Sequence, residues 1–569
     1  MLHLIPQPKI LKEKSNYISA KTIHIVTEIL DERIQKAVQK LPLSDHGIVM
    51  ELHEKGLSGE AYTLAIAQEK IVLTADGAAG LFYGIQTLRQ IFAHDKVPCL
   101  YIEDTPDFGY RGFYHDVTRG KVPKVETLKK LVDDMAYYKL NSLQLYVEHT
   151  FAFAEYADSI ERTGYLTAEE IRELDDYCYE NFIACIPSLS CFGHLYELLQ
   201  KDKYKDLREL DNYKQEHDAF WERMQHHTID PTNPKSFALV KSLIDQYMPL
   251  FRSDTFNICC DETFDLKIGR HKDMDTGRLY VDFVRQIAEY VRSKGKTVMM
   301  WADILLKHRE MIKDLPEDIQ FLNWYYDEDP SEEDVAVFQK LNRTQIVCPG
   351  TGTWTNFVEN IATGEINICR MAELGLRYGA AGVLNTNWGD FGNPCSLELA
   401  MYGMVLGAAK SWSVQTKPDD GFRNAINYLL YRNARGTEYL MRLSALGQKM
   451  RWYDFVKIYS NCIYDKQLEV DIPTESVLTE TQKACEEFVR QLTAEQWEND
   501  EYRKEMLLAA EGIEIMAELT AQTAGYLVSR RTDTETWLKK YRQKWLEKNK
   551  ESELSKIETV FLYMDKAGI

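Results

Sequence analysis

Between Tyr110 and Asp390 short apolar runs alternate with stretches in which apolar residues return every three or four positions. That alternation predicts a strand followed by a helix, repeated. Eight strands are predicted, over 110–117, 142–148, 182–189, 255–262, 297–303, 319–326, 345–351 and 382–390. After the first, Leu128, Leu131, Val132 and Met135 form one helical face. After the second, Thr167-Ala-Glu-Glu170 predicts a capping box that opens a helix. The apolar stretch 397–409 closes the series. Eight strand–helix units in a row predict an α/β fold, a (β/α)8 barrel. A doubly wound open sheet usually has fewer strands and often a glycine-rich phosphate loop, which this sequence lacks.

The flanks read differently. Residues 1–105 predict a small α+β domain, with strands over 23–26, 48–52, 62–66 and 71–74. A helix carrying Leu81, Ile85, Leu88 and Ile91 follows. The barrel domain is expected over 106–420. Residues 421–569 predict a helical domain that packs on the barrel or forms a homodimer contact. In it, Thr493-Ala-Glu-Gln496 reads as a second capping box, and 501–526 and 534–550 read as long helices.

Composition narrows the function classes. The 569 residues are 45% hydrophobic and 27% charged, ordinary for a soluble globular protein of several domains. A net charge of −20 argues against nucleic acid, whose phosphates need Lys and Arg. No apolar stretch reaches the length of a membrane span, and no secretory signal is visible. The eleven cysteines, an odd number scattered through apolar runs, fit reduced buried thiols and a cytoplasmic location. No Cys-x-x-Cys or His-Glu-x-x-His pattern suggests a metal, and no cofactor is expected. Ten Trp and thirty-three Tyr are numerous enough to line a sugar site, although most aromatics fill cores.

The chemistry-bearing residues fall at the predicted strand ends, where a barrel builds its active site. Strand four ends in Asp261-Glu262. Strand one carries Arg111 near its start and Asp116 and Arg119 near its end. Strand two ends in Glu148-His149, and strand three runs into Phe192-Gly-His194. Trp301 and Asp303, Trp324 with Tyr325 and Tyr326, Trp354, and Trp388 with Asp390 complete the later ends. Two carboxylates in different environments can hold different protonation states.

At these residues the chain resembles glycoside hydrolase family 20, the β-N-acetylhexosaminidases, in its bacterial branch. The resemblance rests on 80–90 before the barrel, Tyr110-Arg-Gly112 with Asp116-Val-Thr-Arg119, 140–148, Phe192-Gly-His194 and the Asp261-Glu262 pair. It covers residues 1 to about 420. Four departures stand out. Cys259-Cys260 replaces Gly-Gly before the pair, Glu148 replaces an Asp, Trp354-Thr-Asn356 replaces a Tyr-x-Asp, and Asp390 replaces a Glu.

The resemblance implies an exo-acting hydrolase of small glycans that end in β-linked GlcNAc or GalNAc. The substrate's own acetamido group would be the nucleophile, with retention. It implies Glu262 as general acid and base, Asp261 on the acetamide, and Trp301, Trp324 and Trp388 as walls. Arg111 and Asp390 would hold ring hydroxyls, and His194 and Glu148 would hold Glu262. Tyr325, Tyr326 or Trp354 would meet the acetamide oxygen. Three other readings stay open: a two-carboxylate glycosidase using Glu148 or Asp116, a non-catalytic sugar-binding barrel, and a metal hydrolase using His115, His149 and His194.

Overall fold

The computed structural model describes residues 2–158, 164–211, 220, 221, 223, 226–464, 466–526 and 533–567. The N-terminal part is a six-stranded sheet in the order β1-β6-β4-β5-β3-β2. Its strands are β1 (Ile10–Tyr17), β2 (Ile23–Val26), β3 (Ile48–Glu54), β4 (Tyr62–Ile66), β5 (Lys70–Ala75) and β6 (Pro98–Asp104). The four predicted strands are β2 to β5. Missing from the prediction were β1 and β6 (Pro98–Asp104); in β1, Lys12 to Asn16 are polar and exposed, without alternation. That edge strand is held on the sheet by antiparallel pairing with β6. The helix Ala78–Phe92 buries Leu81, Ile85, Leu88 and Ile91, the predicted face.

Eight parallel strands close the barrel in chain order. They are β7 (Tyr110–Asp116), β8 (Ser142–Val147), β9 (Ala184–Leu189), β10 (Thr255–Asn257), β11 (Thr297–Trp301), β12 (Gln320–Trp324), β13 (Gln345–Cys348) and β14 (Gly382–Asn387). The ring closes where β14 pairs with β7, Val383 opposite Arg111 and Asn387 opposite His115. Alternate residues divide between two cores. Tyr114, Tyr146, Met299, Leu322 and Ile346 fill the lumen, while Phe113, Leu145, Val298 and Phe321 join the outer layer. The predicted capping box forms: the Thr167 side chain accepts from Glu170 N–H, and Glu170 accepts from Thr167 N–H.

Two expectations fail. Strand four stops at Asn257, five residues before its predicted end, because Cys259, Cys260 and Glu262 adopt positive φ. Thr493 begins no helix: it lies in the last turn of Glu475–Ala494, which was already running. The next helix is Asp500–Thr523, and Thr534–Lys548 follows. These C-terminal helices pack on the barrel. Pro123 bridges to Asn549, and Lys548 reaches Glu398 at 2.9 Å. Among the described residues no helix is long and apolar enough to cross a membrane.

Candidate active site

At the carboxyl end of the barrel, Asp261, Glu262, Trp301, Trp324, Tyr326, Trp354, Trp388, Asp390 and Arg119 line one pocket of about 100 Å³. A second lobe of about 200 Å³ shares Arg119, Glu262 and Asp390, and adds Glu148, His194, His227 and Phe264. Strand ends deliver these side chains because a parallel barrel brings all its carboxyl ends to one face.

The segment after β10 is bent on purpose. Cys259 (φ 55°), Cys260 (φ 67°) and Glu262 (φ 48°) occupy the left-handed region, as does His194 (φ 59°). Each such non-glycine residue costs roughly 1–2 kcal/mol. The bend is held by hydrogen bonds: Cys259 N–H donates to Asn257 Oδ1 (2.9 Å), and Tyr280 Oη donates to Cys260 O (2.8 Å). Glu262 N–H donates to Asp303 Oδ2 (3.2 Å). Beside it the Phe192-Gly-His194 turn needs its glycine, since a Cβ at Gly193 would lie 2.5 Å from the Asp261 carbonyl oxygen.

His194 is the electrostatic centre. Its Nε2 lies 3.3 Å from Asp261 Oδ2 and 3.4 Å from Glu262 Oε2, and its Nδ1 lies 3.7 Å from Glu148 Oε1. His227 stacks on it with centroids 5.0 Å apart. Burial opposes the imidazolium, but the three carboxylates outweigh burial and raise the His194 pKa well above 6.5. Burial likewise opposes ionisation of Glu262, yet His194, then Arg119 and His227, hold its carboxyl down at about 2. Glu148 is held low in the same way, against burial, by His149, Arg119 and His194. Tyr146 Oη donates to it at 2.7 Å. Glu148 therefore meets Glu262 through His194. Asp303 moves the other way, to about 7, through burial and the neighbouring Asp261.

Five aromatic residues wall the pocket. Trp301, fully buried, lies 5.8 Å from Trp388 between ring centroids. Trp324 stacks on Tyr326 at 5.0 Å, and Trp354 packs on Tyr326 at 4.9 Å. Trp388 Nε1 donates to Tyr326 Oη at 2.6 Å. Trp301 Nε1 is buried beside the Cys259 thiol.

Two predicted site residues lie elsewhere. Arg111 sits at the amino end of β7, five residues before Asp116. At about 3.3 Å per residue that is roughly 16 Å from the pocket end, beyond the reach of its side chain. It is fully buried, pairs at 2.6 Å with Glu60 in the loop before β4, and donates to Lys139 O and Phe108 O. Tyr83 and Trp412 flank its guanidinium at 5.1 and 5.0 Å. Tyr325 points out of the barrel, packing with Phe108, Val335 and Val347, because neighbours along a strand alternate in direction.

The arginine in the pocket is Arg119. It lies 3.4 Å from Asp390 Oδ1 and 3.3 Å from Asp116 Oδ2, stacked on Tyr146 and Trp388. The sequence placed it near a strand end, but an Arg in a loop reads as surface charge. Tyr326 could have been chosen over Tyr325 from the alternation, had the strand's phase been fixed. Asp303, counted at the end of predicted strand five, instead opens the short helix Asp303–Leu306.

The strand ends of the closed parallel barrel thus gather adjacent carboxylates and an aromatic pocket on one face. Two family models match the chain: "Glycosyl hydrolase family 20, catalytic domain" over residues 108–374, and "Glycosyl hydrolase family 20, domain 2" over residues 2–105. The chain belongs to glycosyl hydrolase family 20.

Among its relatives, a beta-hexosaminidase of Porphyromonas gingivalis is 26% identical over 44% of this chain and 36% of that protein. One from Vibrio furnissii is 22% identical over 54% of each. The chain thus spans about a third to a half of the length of these curated relatives. In fold, it is similar to a chitobiase of Flavobacterium johnsoniae, with TM-score 0.64, 16% identity, and 98% of this chain and 99% of that one covered.

Proposed function

We propose that this chain is an exo-acting β-N-acetylhexosaminidase that releases terminal β-linked GlcNAc or GalNAc from small glycans, with retention. The observation that carries this is the arrangement of carboxylates. Asp261 and Glu262 come from one strand end and share one imidazole at 3.3 and 3.4 Å. A conventional retaining pair faces the sugar from two sides, about 5–5.5 Å apart. The other candidates are engaged. Asp116 accepts from Thr118 N–H, Arg119 N–H and Gly389 N–H, and Asp390 and Glu148 lie against Arg119. Family 20 enzymes are among the substrate-assisted exceptions to the two-carboxylate scheme.

In this reading the acetamide carbonyl oxygen attacks C1 as the bond from C1 to the leaving oxygen breaks. Glu262 gives its proton to that oxygen. The oxazolinium ion then opens as water attacks C1 and Glu262 takes the water's proton. Two inversions give net retention. Asp261 stabilises the acetamide N–H as it becomes positive. Tyr326 Oη, already accepting from Trp388, donates its own hydrogen to the acetamide oxygen. Trp301, Trp324 and Trp388 hold the acetamide in attack geometry and keep water out. Arg119 and Asp390 take the ring hydroxyls. His194 and Glu148 position Glu262, and His194 supplies its proton.

Proton NMR of the first-formed product tests this. The β-anomer of N-acetylglucosamine should appear first. Initial α-anomer would mean single inversion and end the proposal.

A further inference from the structure

Behind the sugar pocket, between the barrel and the C-terminal helices, lies a second cavity of about 50 Å³. Its barrel wall includes His115, Lys121, Asn387 and Ser396, and its helical wall Leu508, Tyr541, Trp545 and the ion pair of Glu505 with Lys548, which neutralises its own charge. Lys121 is the notable group, 8% exposed. Its ammonium donates to Cys395 O at 2.6 Å and reaches Pro394 O at 3.4 Å, and it lies 5.0 Å from the centre of the Trp545 ring. Among the described residues no carboxylate pairs with it. The two nearby carboxylates that favour its charge, Glu398 and Glu505, are both taken by Lys548, at 2.9 and 2.5 Å. A buried cation without an anion is costly, and burial pulls the Lys121 pKa down to about 8.

Two further donors share this cavity. Ser396 Oγ is buried with no hydrogen-bond partner among the described residues. Asn387 Oδ1 accepts from Thr351 and Thr353, which fixes its amide, so Asn387 Nδ2 donates to His115 Nδ1 at 3.0 Å. Burial keeps His115 neutral, its pKa held at about 4. Its one ring proton is therefore on Nε2. An ammonium, a hydroxyl and an imidazole N–H on one cavity, beside apolar Leu508 and Trp545, make a donor set for an anion with a small apolar end.

We propose that this cavity is a binding site for a short-chain carboxylate of two or three carbons, held by Lys121 and Ser396. Size decides against anything larger: a dry cavity of about 150 Å³ is needed for benzene, three times the room here. The site lies at the back of the sugar pocket. Lys121 is two residues from Arg119, and Asn387 adjoins Trp388.

Fluoroacetate, followed by ¹⁹F NMR line broadening on the full chain, tests the assignment. The expected result is saturable broadening that acetate reverses and acetamide does not. Lys121→Met should weaken binding at least about tenfold, since a charge-assisted hydrogen bond is lost. Arg119→Met, which alters only the sugar pocket, should leave it unchanged. Absence of saturable broadening, its survival in Lys121→Met, or its loss in Arg119→Met would overturn the proposal. If Lys121→Met fails to fold, Ser396→Ala decides: binding weakened several-fold supports the site, and unchanged binding overturns it.

Discussion

Trp388 Nε1 donates to Tyr326 Oη across 2.6 Å, joining the end of β14 to the end of β12 over the pocket. The bond uses a lone pair of the phenol, whose hydrogen is shared between Thr386 behind it and an acceptor bound in the pocket. Tyr326→Phe should therefore lower kcat/KM on N-acetylglucosaminides by about a hundredfold, the usual loss for one positioned donor. Tyr325→Phe, outside the barrel, should change nothing. Steady-state kinetics of both variants check this. Equal effects would remove Tyr326 from the acetamide.

Arg111 in the first barrel strand and Arg119 in the loop after it should separate cleanly. Arg111→Ala breaks a buried pair with Glu60, whose side chain keeps 20% exposure. It should cost about 3 kcal/mol of stability, the low end for such pairs, and leave the KM of the folded enzyme alone. Arg119→Ala should raise KM at least tenfold, since about 1.5–3 kcal/mol attends a hydrogen bond from a charged group. Urea unfolding and kinetics on both variants read the two effects. A KM defect in Arg111→Ala without loss of stability would reverse the assignment.

The proton that serves catalysis should be stored on His194. In the free enzyme Glu262 is ionised above about 2, and His194 holds a proton 3.4 Å away with its pKa raised above 6.5. A raised pKa keeps the proton bound to higher pH, so the alkaline limb of kcat/KM should lie above pH 6.5. In His194→Asn the main influence lowering Glu262 is gone while its burial stays. The limb should then drop into the carboxylate range. A pH profile with the same alkaline limb in both enzymes would sink this account.

If Glu262 is the acid, its loss should depend on the leaving group. Glu262→Gln should lose about 10²–10⁴-fold on alkyl or sugar aglycones, the range for general acid catalysis. It should lose far less on dinitrophenyl glycosides, which need no proton. A series of aryl glycosides gives the slope, and a uniform loss across it would remove Glu262 from the role.

Much of this was legible in the sequence because barrel strands repeat one pattern. The eight apolar runs placed β7 to β14, and the polar and aromatic residues at their ends placed Asp261, Glu262, Trp388 and Asp390 in one pocket, with His194 in its adjoining lobe. What stayed hidden depends on direction and bend. Arg111 and Arg119 flank the same strand, and only the strand's polarity says which end is the pocket. Tyr325 and Tyr326 differ by one step of the pleat. The apolar run 255–260 reads as strand throughout, yet its last residues turn left-handed to present Glu262. Propensity resists that turn in two cysteines, and only the surrounding hydrogen bonds enforce it. The N-terminal edge strand β1 was invisible because its pairing partner, not its own pattern, makes it a strand.

The most direct test compares hydrolysis of p-nitrophenyl β-N-acetylglucosaminide with that of p-nitrophenyl β-glucoside, in the wild type, Asp261→Asn and Glu262→Gln. Substrate assistance predicts turnover of the acetamido sugar alone, with Asp261→Asn reduced about 10²–10³-fold on it. Comparable turnover of the glucoside, or full activity in Asp261→Asn, would contradict it and return the search to a second carboxylate across the pocket.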